Sequence, residues 1–263
     1  MIPFFRKIRK KMADDNRPLK YMRYAIGEII LVVIGILIAL SINNWNANQI
    51  EQKKEATYLS NIKRDLNEQL SIINEQVAYE KSINDVATPI IQYYKTYNSF
   101  KIDSAFTESV GFLAGRKTFV TNNPTYTELI SSGNIDIISD NILKDNIIKY
   151  YQELERNELI INKNNNLFTD AVFIPEVLGL SELQFKGKSS LDLLKVFEGS
   201  DATLSFIDLN EKRLKEITKS QLNNPENELR FINNINFRNF IAIVHTNRLN
   251  EQKNKTLKLI DDI

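Results

Sequence analysis

The feature that most constrains this chain is the apolar run Ala25–Ile42, AIGEIILVVIGILIALSI, which holds one charged residue, Glu28, and no proline. A helix of this length extends roughly 27 Å at 1.5 Å per residue, close to the thickness of the hydrocarbon core of a bilayer. The mean hydropathy of the whole chain is −0.30, so the rest is not membrane-like. We therefore expect one transmembrane helix, residues 25–45, that continues into a long stalk helix.

The charges before this run predict its orientation. Only Asp14 and Asp15 oppose the basic residues there, which are Arg6, Lys7, Arg9, Lys10, Lys11, Arg17, Lys20 and Arg23. The positive-inside rule then predicts that residues 1–24 are a cytoplasmic tail and that residues 46–263 are an extracytoplasmic domain. We expect a single-pass protein of the bacterial inner membrane with a periplasmic C-terminal domain.

A cleaved signal peptide is the alternative to an anchor, because Ala39-Leu40-Ser41 has the small-x-small pattern of a cleavage site. The apolar run is longer than the usual core of a signal peptide, and a long basic region precedes it. Both features favour an uncleaved anchor.

The basic tail has a pattern of its own. Ile2, Phe5, Ile8 and Met12 follow one another at helical intervals with basic residues between them. This spacing predicts an amphipathic helix on an anionic leaflet, in which the lipid contacts are made by Arg6, Lys7, Arg9, Lys10 and Lys11. A disordered tail that only sets the orientation explains the same charges.

Three residues of the span share one helix face at intervals of seven and four, namely Glu28, Gly35 and Ala39. Gly35 and Ala39 form a small-xxx-small pair, which permits two helices to approach closely. We interpret the face as a helix–helix contact, through self-association or with another membrane protein, in which Glu28 meets a polar partner. The alternative is that Glu28 snorkels or is protonated beside Tyr24 and that the small residues occur by chance.

The rest of the chain is predicted to be all-α, a bundle of about four main helices. Apolar residues recur at steps of three or four from Asn46 to about Asn98, with a kink or an end near Pro89. Later helices are expected from Pro124 to Gly133, from Asp140 to about Ile174 with Pro175 as the stop, and after Pro225. Gly179–Ser190 is expected to be a loop, and Ser190–Glu198 a short helix.

No motif with catalytic, metal-binding or nucleotide-binding chemistry stands out. The chain has no cysteine and one histidine, His245, which we expect to be packed in the bundle. Glu153, Glu155 and Glu158 are interpreted as a solvated face. The net charge of +1 gives no indication of nucleic-acid binding. We therefore expect neither an enzyme nor a cofactor.

Aromatic residues cluster near the end of the first long helix, at Tyr93, Tyr94, Tyr97 and Phe100. Such rings favour closing the end of the bundle as part of its core. A ligand pocket or a partner surface is the alternative.

Two blocks of sequence resemble a known family. They are MIPFFRKIRKKM followed by YAIGEIILVVIGILIALSINNW, and YTELISSGNIDIISDNILKDNIIKYY at Tyr126–Tyr151. They are similar to an uncharacterised bacterial family of single-pass membrane proteins with a basic FFRKIR-like start. The resemblance implies an integral membrane protein with a helical external domain, and it implies no functional residues.

These expectations combine into one functional hypothesis. The chain is a membrane-anchored helical interaction module that contacts lipid and binds a membrane or periplasmic protein partner, or itself. The second hypothesis is a sensory or ligand-binding subunit that signals through a membrane partner. The third is a periplasmic hydrolase that uses His245.

Overall fold

The computed structural model describes Lys7, residues 18–183 and residues 211–263. Helices dominate these residues, and no strand occurs among them, so the predicted all-α fold is confirmed. The chain divides into two compact units, Met1–Tyr58 and Leu59–Ile263, which are described separately.

Helix α1 extends from Pro18 to Tyr97. Pro89 lies inside it and does not end it, contrary to one of the two outcomes expected there. The helix is packed on both sides of the proline, at the buried residues Ala87 and Ile90, and this packing offsets the local cost of the proline. The helix ends where Asn98 takes a φ of 50°, a left-handed conformation that asparagine adopts more readily than most residues.

The part of α1 in the first unit carries the apolar run. Its most apolar window of 18 residues has a mean hydropathy of 2.8, and none of that window is buried. By length and composition, this helix is able to cross a membrane.

The second unit contains the remaining elements. In chain order they are α2 (Ser104–Leu113), α3 (Pro124–Ser131), a 3-10 turn (Asn134–Ile137), α4 (Asn141–Asn164), a π-helix (Asn165–Phe173), α5 (Ile174–Leu180), α6 (Lys212–Leu222) and α7 (Pro225–Asp262).

Helical spacing on α1, α4 and α7 brings their apolar faces together as the core of this unit. Examples with no exposed surface are Ile73 on α1, Ile161 on α4 and Leu249 on α7. Burial of such side chains provides about 1.5–3 kcal/mol each, which makes these faces the main stabilising contact. Helices α2, α5 and α6 add a continuous apolar cluster with residues 79–90 of α1.

Helix ends follow the predicted signals in three places. Asp140 Oδ1 caps α4 by accepting hydrogen bonds from the amides of Ile142 and Leu143 at 2.8 and 3.1 Å. Gly133 has a φ of 69°, the left-handed conformation that closes the end of a helix. The last helix, α7, begins at Pro225 as predicted, and Asn224 Oδ1 caps it by accepting from the amide of Glu226.

The predicted stop at Pro175 is wrong. The chain stays helical from α4 through the π-helix, and Pro175 lies in the first turn of α5. A proline ring clashes with the carbonyl four residues earlier in an α-helix, and the wider π turns just before Pro175 relieve that crowding. Gly179 belongs to α5 and not to the predicted loop. Most of that loop and the predicted helix Ser190–Glu198 lie outside the described residues.

Candidate functional sites

The predicted contact face of the apolar run lies on one continuous helix. Glu28, Gly35 and Ala39 all belong to α1, where Gly35 and Ala39 are exposed and Glu28 is half-buried. A Cβ added at Gly35 would meet no atom within 4 Å, so the helix surface is open there. Among residues 18–183 and 211–263, no other helix covers this apolar window.

Of the predicted lipid-contacting residues, Lys7 is helical and exposed. Arg6, Arg9, Lys10 and Lys11 lie outside the described residues.

The second unit contains a buried polar centre, which we define as Glu80, Arg238 and His245. Their side chains are 1%, 1% and 0% exposed. His245 Nδ1 lies 3.0 Å from Glu80 Oε1, and Asn164 Nδ2 lies 3.0 Å from His245 Nε2. Because the Asn164 amide donates in this orientation, His245 is the tautomer that accepts at Nε2 and donates from Nδ1 to the carboxylate.

Arg238 balances the charge of this centre. Its Nη1 lies 3.9 Å from Glu80 Oε2, while Nε and Nη2 donate to the carbonyl oxygens of Leu113 and Gly115 at 3.2 and 3.1 Å. Burial raises the pKa of the neighbouring Tyr79 well above its ordinary value, although the Arg238 charge acts in the opposite direction. A buried carboxylate and guanidinium compensate each other, and the carbonyl contacts fix the guanidinium in place.

His245 was expected to be packed rather than catalytic, and the structure agrees with a packed residue. All three members of the buried polar centre lack surface that a substrate could reach. Among the described residues, no group of three or more His, Cys, Asp or Glu side chains is arranged to hold a metal ion.

A second polar feature is the clamped segment, residues 117–125, whose main chain is held by side chains of α1, α4 and the π-helix. Asn162 pairs with both groups of Phe119: its Oδ1 accepts from the amide at 3.2 Å and its Nδ2 donates to the carbonyl at 3.1 Å. The carbonyl of Lys117 accepts from Gln76 and Asn165 at 3.2 and 3.0 Å. The segment has no strand partner, so these amides take the place of one.

The clamp continues to the start of α3. The amide of Asn122 donates to Gln69 Oε1 at 2.6 Å, and the amide and hydroxyl of Thr121 both donate to Glu158. Asp65 Oδ2 accepts from the amide of Thr125 at 3.0 Å and so caps α3. The residue at the N-cap position, Asn123, makes no capping side-chain bond.

The aromatic cluster near the end of α1 divides into two groups. Phe100 packs against Phe106 and Phe231 with ring centroids 5.7 and 5.6 Å apart, which closes the core as expected. Tyr93 and the exposed Tyr97 contact each other with tilted rings whose centroids are 4.5 Å apart. Tyr93 also lines an open groove of about 210 Å³ whose walls include Pro89, Ile90 and Phe106 and whose rim carries Lys101 and Asp103.

Sequence reasoning missed most of these polar residues. On α1, Asp65, Gln69, Gln76 and Glu80 lie on one helix face at offsets of 4, 11 and 15 from Asp65. This polar row lies directly beside the apolar row of the helix, where solvent-exposed polar residues are usual. The sequence pattern therefore does not distinguish buried polar residues from exposed ones at these positions. Glu158 was assigned to a solvated face, and it instead holds the clamped segment together with Asp65.

Comparison with known families and structures gives one result. The described residues define a class of all-α proteins with one apolar helix of membrane length and a separate helical unit. These residues contain no distinctive catalytic site. Within that class, the chain belongs to the family of unknown function DUF6090, whose model matches residues 28–182, more than half of the chain. No curated protein and no solved structure matches it.

Proposed function

We propose that this protein is a membrane-anchored helical interaction module. In this proposal α1 crosses the bacterial inner membrane once, the basic tail stays in the cytoplasm, and residues 46–263 form a periplasmic domain that binds a protein partner or a second copy. The observation that carries the proposal is the uncovered apolar window of α1, with a mean hydropathy of 2.8 and none of it buried. Lipid, another helix, or both would cover such a surface.

An exposed aromatic row on α7 supports a protein-binding role. Phe237 and Phe240 are 47% and 57% exposed, and their rings stack 6.1 Å apart. Leu229 and Ile243 of the same helix are also exposed, at 61% and 41%. Several large apolar side chains on one helix are unusual on a surface that meets only water, and protein contacts commonly cover them.

In-cell crosslinking tests the interaction. A photoreactive amino acid replaces Phe240, and the control replaces Ser71, an exposed residue of α1 in the same unit. We expect a discrete crosslinked product from position 240 and none from position 71. Equal diffuse labelling from both positions, or none from either, would contradict the role.

The membrane face is tested by a matched pair of variants. Gly35→Leu with Ala39→Leu blocks close helix approach on the predicted face, and Ile30→Leu with Val33→Leu keeps the volume nearly constant on the opposite face of the helix. In an assay of helix association in membranes, we expect the first pair to weaken association and the second to leave it unchanged. Identical behaviour of the two pairs would remove the proposed contact. A C-terminal reporter that is active only in the cytoplasm would overturn the topology.

A second candidate function is ligand binding by the groove beside Tyr93. Its walls are mostly apolar, and its volume of about 210 Å³ suits a small ring with a polar substituent facing Lys101 or Asp103. In this reading the protein is a sensory subunit that signals through a membrane partner. Phenol and indole serve as probes: they should raise the melting temperature of the full chain, and Ala105→Trp, which fills the groove, should abolish that rise.

A further inference from the structure

Helices α4 and α7 enclose a polar groove of about 210 Å³. Its floor is formed by the amides of Asn157 and Gln252, which are 7% and 1% exposed. Charged side chains, among them Arg156 and Arg248, form its rim. The groove therefore has two sets of hydrogen-bond donors. The amide groups lie at its floor, and the guanidinium groups lie at its rim.

The floor amides form a hydrogen-bonded chain with a single direction. Arg248 Nη1 donates to Asn157 Oδ1 at 3.1 Å, and Asn157 Nδ2 donates to Gln252 Oε1 at 3.0 Å. The last donor, Gln252 Nε2, is buried and has no acceptor. The chain therefore starts at a cation and ends at an unpaired N–H group, and each bond polarises the next in the same sense.

An oxygen that neighbours this amide is the Tyr150 hydroxyl, which is bonded to Thr256 Oγ1 at 3.0 Å. Burial raises the pKa of Tyr150, and the neighbouring Thr256 and Gln252 lower it by less. The Gln252 amide thus lies near the hydroxyl but without the geometry of a hydrogen bond. An unsatisfied buried donor is costly, so an acceptor at this position would be favourable.

The charges of the rim favour an anion. Lys255 and Glu153 neutralise each other in an ion pair of 2.5 Å. Two guanidinium groups, Arg156 and Arg248, then face one remaining carboxylate, Glu251. Arg156 is exposed and forms no ion pair within the described ranges 18–183 and 211–263, so its fork of donors is free to bind.

We propose that this groove binds a small oxyanion, a carboxylate or phosphate group, between the guanidinium groups of Arg156 and Arg248 and the Gln252 amide. Planar guanidinium forks bind two oxygens of one such group at once, and the amide supplies a donor from below. The site is separate from the proposed interaction role, since it would exist whether or not the protein has a partner.

The test uses the full chain in phosphatidylcholine nanodiscs, titrated calorimetrically with sodium phosphate or sodium acetate at constant ionic strength set by chloride. We expect one site, and a loss of affinity of about tenfold or more in Arg156→Gln, because one charge-assisted contact is removed. Lys81→Gln is the matched control, since it removes the same charge from an exposed position of α1. It should leave the affinity unchanged.

A second arm separates a free anion from a lipid headgroup. Part of the phosphatidylcholine is replaced by phosphatidylglycerol, and the titration is repeated. If phosphatidylglycerol competes with phosphate in the wild type, the oxyanion site takes a headgroup phosphate; if it has no effect, the site takes a free anion. Absence of binding by both anions would overturn the proposal. Equal weakening by Arg156→Gln and Lys81→Gln would also overturn it, because the effect would then be one of net charge alone.

Discussion

Glu80, Arg238 and His245 are the residues whose chemistry depends most on their surroundings. Each is an ionisable group without solvent contact, and each is held by at least one partner on another element. A buried ion pair such as Glu80 with Arg238 adds little stability over a well-packed apolar substitute, but removal of one member leaves the other uncompensated.

Glu80→Ala should therefore destabilise the second unit by about 3–5 kcal/mol, because Arg238 loses its counter-ion and His245 loses its hydrogen-bond partner. The measurement is the free energy of unfolding from urea titration followed by far-ultraviolet circular dichroism. Glu75→Ala is the matched control on the same helix: Glu75 is 64% exposed and pairs with Lys117 at 3.0 Å. Its cost should stay within about 1 kcal/mol, and similar costs for both variants would contradict a special role of the buried polar centre.

Asp103 gives the second unit a predictable response to acid. Burial by itself raises the pKa of Asp103. The hydrogen bonds from the Phe106 amide and the Lys101 ammonium lower the pKa by more than burial raises it, so the pKa of Asp103 is below its ordinary value. A lowered pKa in the folded state means that Asp103 stabilises the fold above the pKa of the unfolded chain, about 3.9. This contribution is lost as the pH falls through the folded value.

Asp103→Asn should consequently narrow the difference between the urea midpoints measured near neutral pH and near pH 3. The control is Asp85→Asn, an exposed aspartate on α1, which should keep the difference of the wild type. The prediction fails if Asp103→Asn retains the full acid sensitivity.

At the scale of elements, the clamped segment shows how a stretch without regular structure is held in a fixed conformation. Its main-chain groups bond to side chains on two helices, and Phe119 is completely buried between them. The π-helix that follows α4 belongs to the same arrangement, since its first residue, Asn165, donates to the Lys117 carbonyl.

Asn162→Ala should leave the amide and the carbonyl of Phe119 without partners. We expect a loss of about 1–3 kcal/mol in stability and faster hydrogen exchange at the Phe119 amide, measured by nuclear magnetic resonance. Asn166→Ala, an exposed asparagine one turn further along, is the matched control and should change neither quantity. Unchanged exchange at Phe119 in Asn162→Ala would show that the clamp bonds are not the source of its protection.

The elements themselves were largely predictable, because their signals are local. Pro124, Gly133, Asp140 and Pro225 mark helix ends through their own backbone or side-chain chemistry. The clamp was not predictable, because the partners of Phe119 and Thr125 are 43 and 60 residues away. The prediction of a helix stop at Pro175 was wrong for a related reason. Whether a proline ends a helix depends on whether the preceding turns are α or the wider π turns, and the sequence does not show which form they take.

At the scale of the whole molecule, the two compact units differ in how much of their apolar surface is buried. The first carries an apolar helix surface that is not buried, and the second has its own core. The polar residues from Asn46 onward, before that core begins, provide a natural point of division.

A chain that starts at residue 46 should thus fold without detergent, whereas the full chain should require detergent or lipid. The expected result is a soluble helical protein with one cooperative thermal transition in circular dichroism. Removal of residues 1–17 alone keeps the apolar run and serves as the control, which should still require detergent. An aggregated or unfolded 46–263 chain would show that the second unit depends on the apolar run for stability.

The clamped segment also has a consequence for the order of folding. Its bonds join positions 37 to 60 residues apart, so no local contact can form them in advance. Two long loops must close before any of these amides meets its acceptor, and that entropic cost is met only after α1 and α4 have come together. The segment would then become ordered on the late side of the folding barrier. Substitutions in the clamp would accelerate unfolding while leaving the rate of refolding almost unchanged.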